Sequence, residues 1–360
     1  MQLFDVAIVG GGPAGSSCAA FCAVAGLRTL VLDREKFPRE KVCGDCLNPS
    51  CWSVLERLAL AERVRDLPHS RLGWVKFIAI DGREVSVDLP SGAGCGISVK
   101  RSLFDDLLIR RAREVGADVQ EKTTVISLDR NEHWNIETAS AEPFHARLLI
   151  GADGRNSTVA HLRNLLPALE RERVALQAHV PRPRNFGDRI VLQFLPEGYS
   201  GQAPVNETEL NLCLVGTPPT ISRLRKWAEG QFGLPSNQAW RTITPLTRSP
   251  VASAHQNLFF IGDAARVVEP FTGEGIYYAL RSGELAATAI AEIFRGNNRK
   301  TVLRKFGRAY AEMYRGRLWI NRLSRVAVLR PRLGSFFIHI ARINPWILKL
   351  LTGKIVSANR

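Results

Sequence analysis

Three glycines near the start of the chain have the spacing of a pyrophosphate-binding turn. Residues 10–15 read Gly-Gly-Gly-Pro-Ala-Gly, a G-x-G-x-x-G that directly follows a short apolar run. In such a turn Gly10 permits the tight bend, Gly12 lets the backbone approach a phosphate, and Gly15 allows a helix and a strand to pack closely. Taken by itself the pattern is weak, because an ordinary glycine-rich turn can also show it.

The residues that follow complete the pattern. Pro13 and Ala14 lead into a helix predicted over 16–25, and the free N–H groups at the start of that helix favour an anion. A second buried strand ends at Asp33, where a carboxylate can accept hydrogen bonds from ribose hydroxyls, and we place Arg34 in the same site. Strand, turn, helix, strand and acid in this order predict a dinucleotide-binding unit.

Two later segments indicate which dinucleotide binds. Residues 148–157 and 258–265 each consist of an apolar strand entering a Gly/Asp turn, and the second continues through 270–275 into a helix predicted over 276–290. Together with the N-terminal turn, these segments resemble the flavoprotein hydroxylase superfamily and its geranylgeranyl reductase-like branch, over roughly residues 1–295. The resemblance implies that the cofactor is FAD.

The resemblance also implies roles for individual residues. It gives the FAD-binding residues Asp153, Gly262, Asp263, Gly273, Gly275 and Ile276. Asp263 would bind the ribityl hydroxyls, Asp153 would lie near the pyrophosphate and the approach of the nicotinamide, and the backbone of 273–276 would lie beside the flavin ring. Arg101 opens an R-x-x-F-D helix start close to FAD, where its guanidinium can neutralise a phosphate.

The implied fold class is α/β, with a Rossmann-type FAD-binding domain of the glutathione reductase-like or hydroxylase fold, an inserted mixed-sheet substrate domain and a helical C-terminus. Apolar and alternating runs predict strands of the substrate domain, which would cover the flavin, at 74–80, 84–89, 189–195 and 210–215. The expected boundaries are 1–70, 97–165 and 255–297 for the FAD-binding domain, 71–96 and 166–254 for the substrate domain, and 298–360 for the basic helical region.

The loop after the second strand contains Cys43-Gly44-Asp45-Cys46. A Cys-x-x-Cys can be a redox dithiol, although no thioredoxin-like context surrounds it, and a zinc site is disfavoured because no histidine lies close by. The family resemblance places a Cys-Gly pair on the face of the flavin, which makes Cys43 and Gly44 catalytic candidates. A thiol there would contact the isoalloxazine or donate a proton to a substrate carbon. Plain packing of a small thiol is the alternative.

The reaction is left open among several possibilities. The segment 270–279 looks most like that of geranylgeranyl reductases, which saturate carbon–carbon double bonds with hydride from reduced FAD. Their Tyr-x-Trp-x-Phe-Pro substrate motif appears here as 199–204, with Tyr199 kept as a catalytic candidate but Gly201 and Ala203 in place of the two aromatics. The expected substrate is small and hydrophobic, isoprenoid- or quinone-like. The alternatives are a monooxygenase for an aromatic or polyketide, a halogenase, or a non-catalytic electron-transfer flavoprotein.

Charge is concentrated at one end of the chain. Residues 295–360 contain 16 Lys and Arg against a single acid, Glu312, and so carry the whole formal net charge of +15. Large apolar residues alternate with these bases at helical spacing, and breaks in the helices are predicted near Pro331 and Pro345. The pattern is typical of a basic helical cap, or of an interfacial surface on an anionic membrane that includes Arg317, Arg322 and Arg325. Nucleic acid is not expected as a partner, since no nucleic-acid motif accompanies the charge.

Composition indicates the compartment. Seven cysteines are an odd number without a disulfide framework, no apolar run is long enough to span a membrane, and no basic leader precedes the first strand. We therefore expect a cytoplasmic protein, peripheral at the inner face of the membrane. NAD(P)H is the candidate electron donor, although no second G-x-G-x-x-G is present, and no metal is expected.

Overall fold

The computed structural model describes residues 2–353 except 93, 140–141, 168–172, 256, 345, 347 and 349–351, so the predicted basic region lies partly outside the described residues. The strands are β1 Leu3–Val9, β2 Thr29–Leu32, β3 Cys46–Leu47, β4 His69–Arg71, β5 Trp74–Ile78, β6 Glu84–Asp88, β7 Ile97–Val99, β8 Asp118–Gln120, β9 Val125–Arg130, β10 Trp134–Thr138, β11 Phe144–Gly151, β12 Val174–Pro181, β13 Arg189–Leu195, β14 Gly198–Pro204, β15 Glu209–Gly216, β16 Arg241–Ile243, β17 Ala254–His255 and β18 Leu258–Phe260. The helices are α1 Pro13–Val24, α2 Cys51–Arg57, α3 Ala61–Arg65, α4 Arg101–Glu114, α5 Thr158–Leu162, α6 Ile221–Phe232, α7 Gly275–Phe294, α8 Arg299–Met313, α9 Leu318–Leu329 and α10 Pro331–Ile343.

The first sheet has eight strands and a parallel core in the order β18-β11-β1-β2-β8. Its central strands are continuous apolar runs because helices cover the sheet, and Val6, Ala7 and Ile8 of β1 are completely buried. The glycine turn follows β1, Asp33 follows β2, and the two Gly/Asp turns follow β11 and β18. The carboxyl ends of parallel strands share one edge, so the fold gathers all four segments there.

Helix α7 crosses the same edge and packs on α1. The contact is close because residue 283 is glycine: a Cβ at Gly283 would lie 2.5 Å from the carbonyl oxygen of Ala14 and would force the helices apart. Ser17 also donates a hydrogen bond from its hydroxyl to the carbonyl of Leu280 at 2.9 Å. The two helices that begin at the dinucleotide edge are thus held in one fixed arrangement.

The second sheet has seven strands in the order β16-β12-β15-β14-β13-β5-β6, and the third has three, in the order β3-β7-β4. The four predicted strands correspond to β5, β6, β13 and β15, which lie in the same mixed sheet; β5 pairs with β13 in parallel and the other pairings are antiparallel. Strands β12, β14 and β16 were not predicted. The α/β fold class with a mixed second sheet and a helical C-terminus is confirmed, whereas the domain boundaries stay a prediction.

The C-terminal helices cover both sheets. Helix α8 packs on α7, α9 contacts β14 and the loop at 270–272, and α10 packs on β5, β6 and β13. The break between α9 and α10 falls at Arg330, directly before Pro331, as predicted from the proline. The second predicted break, at residue 345, lies outside the described residues.

Candidate active site

A single cavity of about 560 Å³ runs from the glycine turn to the second sheet. Its walls include Gly12 and Asp33 at one end, Cys43 in the middle, and Tyr199 and Phe271 at the other end. Every predicted site residue lines this cavity except Gly15 and Gly262, and Arg34 lines it only at the rim. Gly15 and Gly262 support the turns from behind, and the Arg34 side chain is 70% exposed at the rim. The individual assignments stay predictions.

The glycine turn is tightly constrained by its own backbone. Gly10 has a φ of +104°, and a Cβ there would lie 2.5 Å from the carbonyl oxygen of Ala152. A Cβ at Gly15 would lie 1.8 Å from the carbonyl oxygen of Gly10. At Gly12, by contrast, the nearest atom to a Cβ is the terminal nitrogen of Arg39 at 3.4 Å, so space remains in front of α1. That space lies where helix N–H groups attract an anion.

Asp33 has a structural role besides the predicted ribose contact. Its Oδ2 accepts a hydrogen bond of 2.6 Å from the N–H of Gly11, and its Oδ1 accepts one of 2.9 Å from the N–H of Glu35. The buried carboxylate therefore fixes the glycine turn to the end of β2. It also lines the cavity, so the same side chain both shapes the turn and faces the predicted adenosine end.

Four cations converge on the middle of the cavity: Arg39, Lys41, Arg101 and Arg155. Asp105 is their fixed counter-charge, since Arg101 binds both of its oxygens at 2.7 Å and Arg39 lies 3.2 Å from one of them. Burial, and then repulsion from Arg101, Arg39 and Arg155, lower the pKa of Lys41 to about 8. This excess of buried positive charge suits a diphosphate, which would relieve the repulsion.

Asp153 and Asp263 come from the two Gly/Asp turns. Asp263 lies 3.2 Å from Arg155, with which it forms an ion pair at the cavity wall. Asp153 accepts a hydrogen bond of 3.0 Å from the N–H of Val159 through Oδ2, whereas its buried Oδ1 has no partner in the described part of the chain. Burial raises the pKa of Asp153.

The loop predicted beside the flavin ring is held from below by α9. Gly273 has a φ of +67°, and Gly275 and Ile276 line the cavity at the start of α7. Buried Glu274 accepts hydrogen bonds from Arg317 at 3.0 Å and from Asn321 at 3.3 Å, both on α9. Our expectation that Arg317 belongs to a membrane-facing surface was wrong: it is 2% exposed because it neutralises Glu274 in the interior.

A polar cluster behind Cys43 was missed by sequence reasoning. His179 Nε2 lies 2.7 Å from Asp45 Oδ2, and Asn211 donates to the same oxygen and, at 2.8 Å, to the carbonyl of Cys43. Asp45 has a φ of +58°, so this non-glycine turn needs the support of its neighbours. His179 on β12 and Asn211 on β15 are far from Cys43 in sequence, and only the pairing of these strands brings them together.

Cys43 lines the cavity, where the charge of the nearby Arg101 guanidinium acts on its thiol. Burial raises the pKa of its thiol, which is therefore protonated at neutral pH. Cys46 instead donates to the carbonyl of Gly44 at 3.2 Å, and both cysteines are free thiols. The geometry gives the two residues different surroundings, as expected for independent thiols.

The far end of the cavity is apolar and roomy. Phe271 makes ring contacts with Tyr199 at 5.3 Å and Phe194 at 6.0 Å. Tyr199, Gly201 and Ala203 of β14 all line this chamber, and the nearest side-chain atom to a Cβ at Gly201 would be 3.7 Å away. The glycine and alanine that stand in place of two aromatics are thus small residues on the wall of this chamber, where a Cβ at Gly201 would already contact Leu192.

The residues present fit FAD. The uncapped start of α1, the space before Gly12 and the excess of cations over acids match a diphosphate, and the cavity continues past the loop at 273–276 to Cys43. Among the described residues, no three His, Cys, Asp or Glu side chains are grouped so as to hold a metal ion. No helix in the described ranges has the length and apolarity needed to cross a membrane.

Comparisons with known proteins agree with this geometry. Residues 4–178 match the family model described as an FAD binding domain. Menaquinone reductase of Mycolicibacterium smegmatis is 31% identical over 318 residues, which cover 79% of this chain and 75% of that protein. The chain is a member of the geranylgeranyl reductase-like branch of the flavoprotein hydroxylase superfamily. This reductase-like flavoprotein is therefore an FAD-dependent oxidoreductase and an enzyme.

Two further relatives have different names. Digeranylgeranylglycerophospholipid reductase 1 of Methanopyrus kandleri is 27% identical over 87% of this chain and 87% of its own length. Conditioned medium factor receptor 1 of Dictyostelium discoideum is 28% identical over 81% of this chain, which spans only 64% of that relative's length. These relatives carry different names, so family membership alone does not define the substrate.

Solved structures show the same fold. A geranylgeranyl bacteriochlorophyll reductase-like protein from Thermoplasma acidophilum superposes with a TM-score of 0.77 at 22% identity, covering 91% of this chain and 88% of that one. The flavin-dependent brominase Bmp2 gives a TM-score of 0.79 at 20% identity, covering 99% and 95%. Since reductase-like and halogenating proteins share this fold, the chemistry of the flavoprotein has to be argued from its own site.

Proposed function

We propose that the flavoprotein reduces a carbon–carbon double bond of a hydrophobic, isoprenoid- or quinone-like substrate, with NAD(P)H as the electron donor. The observation that carries the proposal is the continuous cavity, which joins the dinucleotide turn to an apolar chamber past a protonated thiol. Relatives named menaquinone reductase and digeranylgeranylglycerophospholipid reductase support the substrate class.

The residues that would hold FAD follow from the geometry. The N–H groups at the start of α1 and the cations Arg39 and Lys41 would bind the diphosphate, Asp33 would bind the ribose, and Asp263 the ribityl chain. When bound, FAD supplies the hydride of the reaction. NAD(P)H would return a hydride, which is two electrons and one proton, to the oxidised cofactor, and Cys43 would regain its proton from solvent. Each turnover would therefore consume one NAD(P)H and one proton.

Saturation of a double bond also requires a proton, which this chain can provide. Cys43 lines the cavity as a neutral thiol and would protonate the carbon that does not receive the hydride. The thiolate left behind would be stabilised by the positive charge of the nearby Arg101 guanidinium. Asp45, His179 and Asn211 are positioning residues, because their hydrogen bonds hold the Cys43 turn in place.

The apolar wall around Phe271 and Tyr199 would exclude water from the reacting carbons. Burial and the nearby charge of Glu269 raise the pKa of the Tyr199 hydroxyl well above its usual value, so the phenol stays neutral and cannot serve as a base at neutral pH. Tyr199 packs against Phe271 in the apolar chamber, whereas Cys43 lies in the middle of the cavity, so we assign the proton donation to Cys43. In this proposal the enzyme works on the cytoplasmic side of a membrane.

Anaerobic reoxidation tests the function. The purified protein with FAD is photoreduced without oxygen and mixed with a menaquinone or a polyunsaturated isoprenoid, and flavin absorbance is followed. We expect substrate-dependent reoxidation that Cys43→Ser slows and Cys46→Ser leaves unchanged. Reoxidation only by oxygen, with hydroxylation of the added compound, would instead establish the monooxygenase alternative. Reoxidation by no organic acceptor would overturn the proposal.

A further inference from the structure

The exposed apolar side chains of this protein are concentrated on its last two long helices. Nine of the eleven large hydrophobic side chains that are exposed among the described residues lie between 319 and 346. They are Trp319, Leu323, Val326, Leu329, Phe336, Phe337, Ile340, Ile343 and Trp346. We call the outer side of α9 and α10 that carries them the apolar face. A concentration of this kind marks an interaction site rather than ordinary surface.

Helix α9 has two different sides. Ile320, Asn321 and Val328 point inward and are buried, whereas Trp319, Val326 and their neighbours recur every three to four residues on the outside. Helix α10 repeats the arrangement: Gly334 packs against Phe194, and Phe336 is 55% exposed on the other side. Both helices are thus anchored to the body of the protein, and the apolar face is exposed on the outside.

Positive charge surrounds the apolar face. Arg322, Arg330, Arg332 and Arg342 are exposed on the same two helices, and no acidic residue follows Glu312 in the sequence. An apolar surface with a cationic border matches the acyl region and the anionic headgroups of a bilayer. A protein partner would require a patch of matching acidic residues, and a second copy of this basic face would repel the first.

The cavity reaches the apolar face. Ile320, Leu323 and Ser324 of α9 line the cavity, and Leu323 is also 37% exposed on the outside. The same helix binds the loop beside the predicted flavin position, through Arg317 and Asn321 to Glu274 and through Asn321 to the N–H of Glu269 at 3.2 Å. Helix α9 therefore connects the outer surface to the reaction site.

We propose that the apolar face docks on an anionic membrane and that a lipophilic substrate enters the cavity directly from the bilayer past Leu323. The entry step rests on the proposed function, whereas docking does not. In docking, Trp319 and the Phe336–Phe337 pair would enter the interfacial region, and the flanking arginines would bind lipid phosphates. The buried side of α9 would keep the flavin loop in place while its outer side lies in the lipid.

Vesicle co-sedimentation tests docking without any turnover. The holoprotein is mixed at low salt with phosphatidylglycerol/phosphatidylcholine vesicles or with phosphatidylcholine alone. We expect binding to the anionic vesicles that weakens as salt rises, because screening shortens the reach of the charges. The double variant Arg322→Glu/Arg332→Glu should lower the partition coefficient roughly ten-fold or more, since each base near an anionic surface contributes measurably.

A matched control separates this surface from the general charge of the chain. Arg304→Glu/Arg308→Glu makes the same charge change at exposed positions of α8, outside the apolar face. This double variant should bind anionic vesicles nearly as well as the parent protein. Equal losses in the two double variants would overturn the assignment to α9 and α10, and so would equal binding to neutral and anionic vesicles.

A second variant tests the apolar side chains of the face in the same vesicle experiment. Phe336→Ser/Phe337→Ser should reduce vesicle binding while FAD content and reoxidation by a detergent-solubilised acceptor stay unchanged. With the same acceptor embedded in vesicles, this variant should be slower than the parent protein. Vesicle binding with no reoxidation by either form would leave docking intact and contradict the proposed function. Failure to bind anionic vesicles, with concentration-dependent dimers in light scattering, would show that a second copy covers the face.

Discussion

The two ends of the cavity are built in different ways. At the dinucleotide end, backbone atoms set the shape, and Gly10 and Gly15 leave no room for a side chain. At the substrate end, side chains from separate strands and loops set the shape, and a Cβ at Gly201 would meet only side-chain atoms of Leu192 and Cys213. The first end is determined by one short motif, whereas the second depends on many replaceable contacts. A shared fold can therefore keep one cofactor and change its substrates.

Substitutions in the glycine turn should separate folding from cofactor binding, with the largest effects expected. Gly12→Val should remove FAD and leave the apoprotein's melting temperature nearly unchanged, because only the flexible end of Arg39 lies near the new side chain. Gly15→Val should lower both, since even its Cβ would overlap the Gly10 carbonyl. Bound FAD by absorbance and the apoprotein melting curve measure the two effects. Normal FAD content in Gly12→Val would contradict the location of the diphosphate.

Asp263 tests the middle of the cavity. Asp263→Ala should weaken FAD binding by about 1–3 kcal/mol, the usual range for hydrogen bonds to a charged group left unmade. The same change deprives Arg155 of its ion-pair partner. Asp263→Asn retains hydrogen-bonding capacity and should lose less affinity. Fluorescence titration with FAD measures both variants, and unchanged affinity in Asp263→Ala would show that the turn has only a structural role.

The lowered pKa of Lys41 predicts a pH dependence of cofactor binding. Below its pKa of about 8 the ammonium is charged and attracts the diphosphate. Above that pH the amine is neutral in the apoprotein, and binding must then take up a proton. FAD affinity should therefore fall as pH rises through about 8, and Lys41→Met should flatten this part of the profile. Equal pH profiles for the two proteins would exclude Lys41 from the diphosphate site.

The substrate end should respond with smaller, selective changes. Gly201→Trp would fill part of the chamber, so KM for a long isoprenoid should rise more than KM for a short quinone, and FAD content should stay constant. Ala203→Ser is the matched control, since it adds little volume on the same strand. A comparable rise in KM for both substrates would show that residue 201 does not face the substrate.

The dinucleotide end of the cavity could be predicted from the sequence because each of its motifs is short and local. The turn at 10–15, Asp33 and the Gly/Asp turns each follow a strand, and parallel strands bring their carboxyl ends to one edge. The His179–Asp45 contact could not be predicted, because it depends on the register of β12 and β15 against a loop more than a hundred residues earlier. A polar residue in an apolar strand, such as His179 or Asn211, is the available signal.

In the C-terminal region, the sequence alone could not distinguish buried from exposed arginines. Composition identified a basic, amphipathic region, but it treated Arg317 and Arg322 alike. The structure buries Arg317 against Glu274 and exposes Arg322, although the two lie five positions apart on adjoining turns. The residues that hold the flavin loop lie on one side of the helix, and those of the apolar face lie on the other. Which side is buried can be determined only when the residues that pack against it are known.

Product analysis after a single anaerobic turnover tests the central claim most directly. Reduced protein is mixed with a menaquinone or an unsaturated isoprenoid in deuterated water, and the extracted product is analysed by mass spectrometry. Hydride transfer with protonation by the solvent-exchanged thiol predicts a product with two added hydrogen isotopes at one former double bond, at least one of them deuterium bound to carbon, and no added oxygen. Repeating the reaction with oxygen present should not change the product. A product that gains oxygen, and only when oxygen is present, would contradict reduction and establish a monooxygenase.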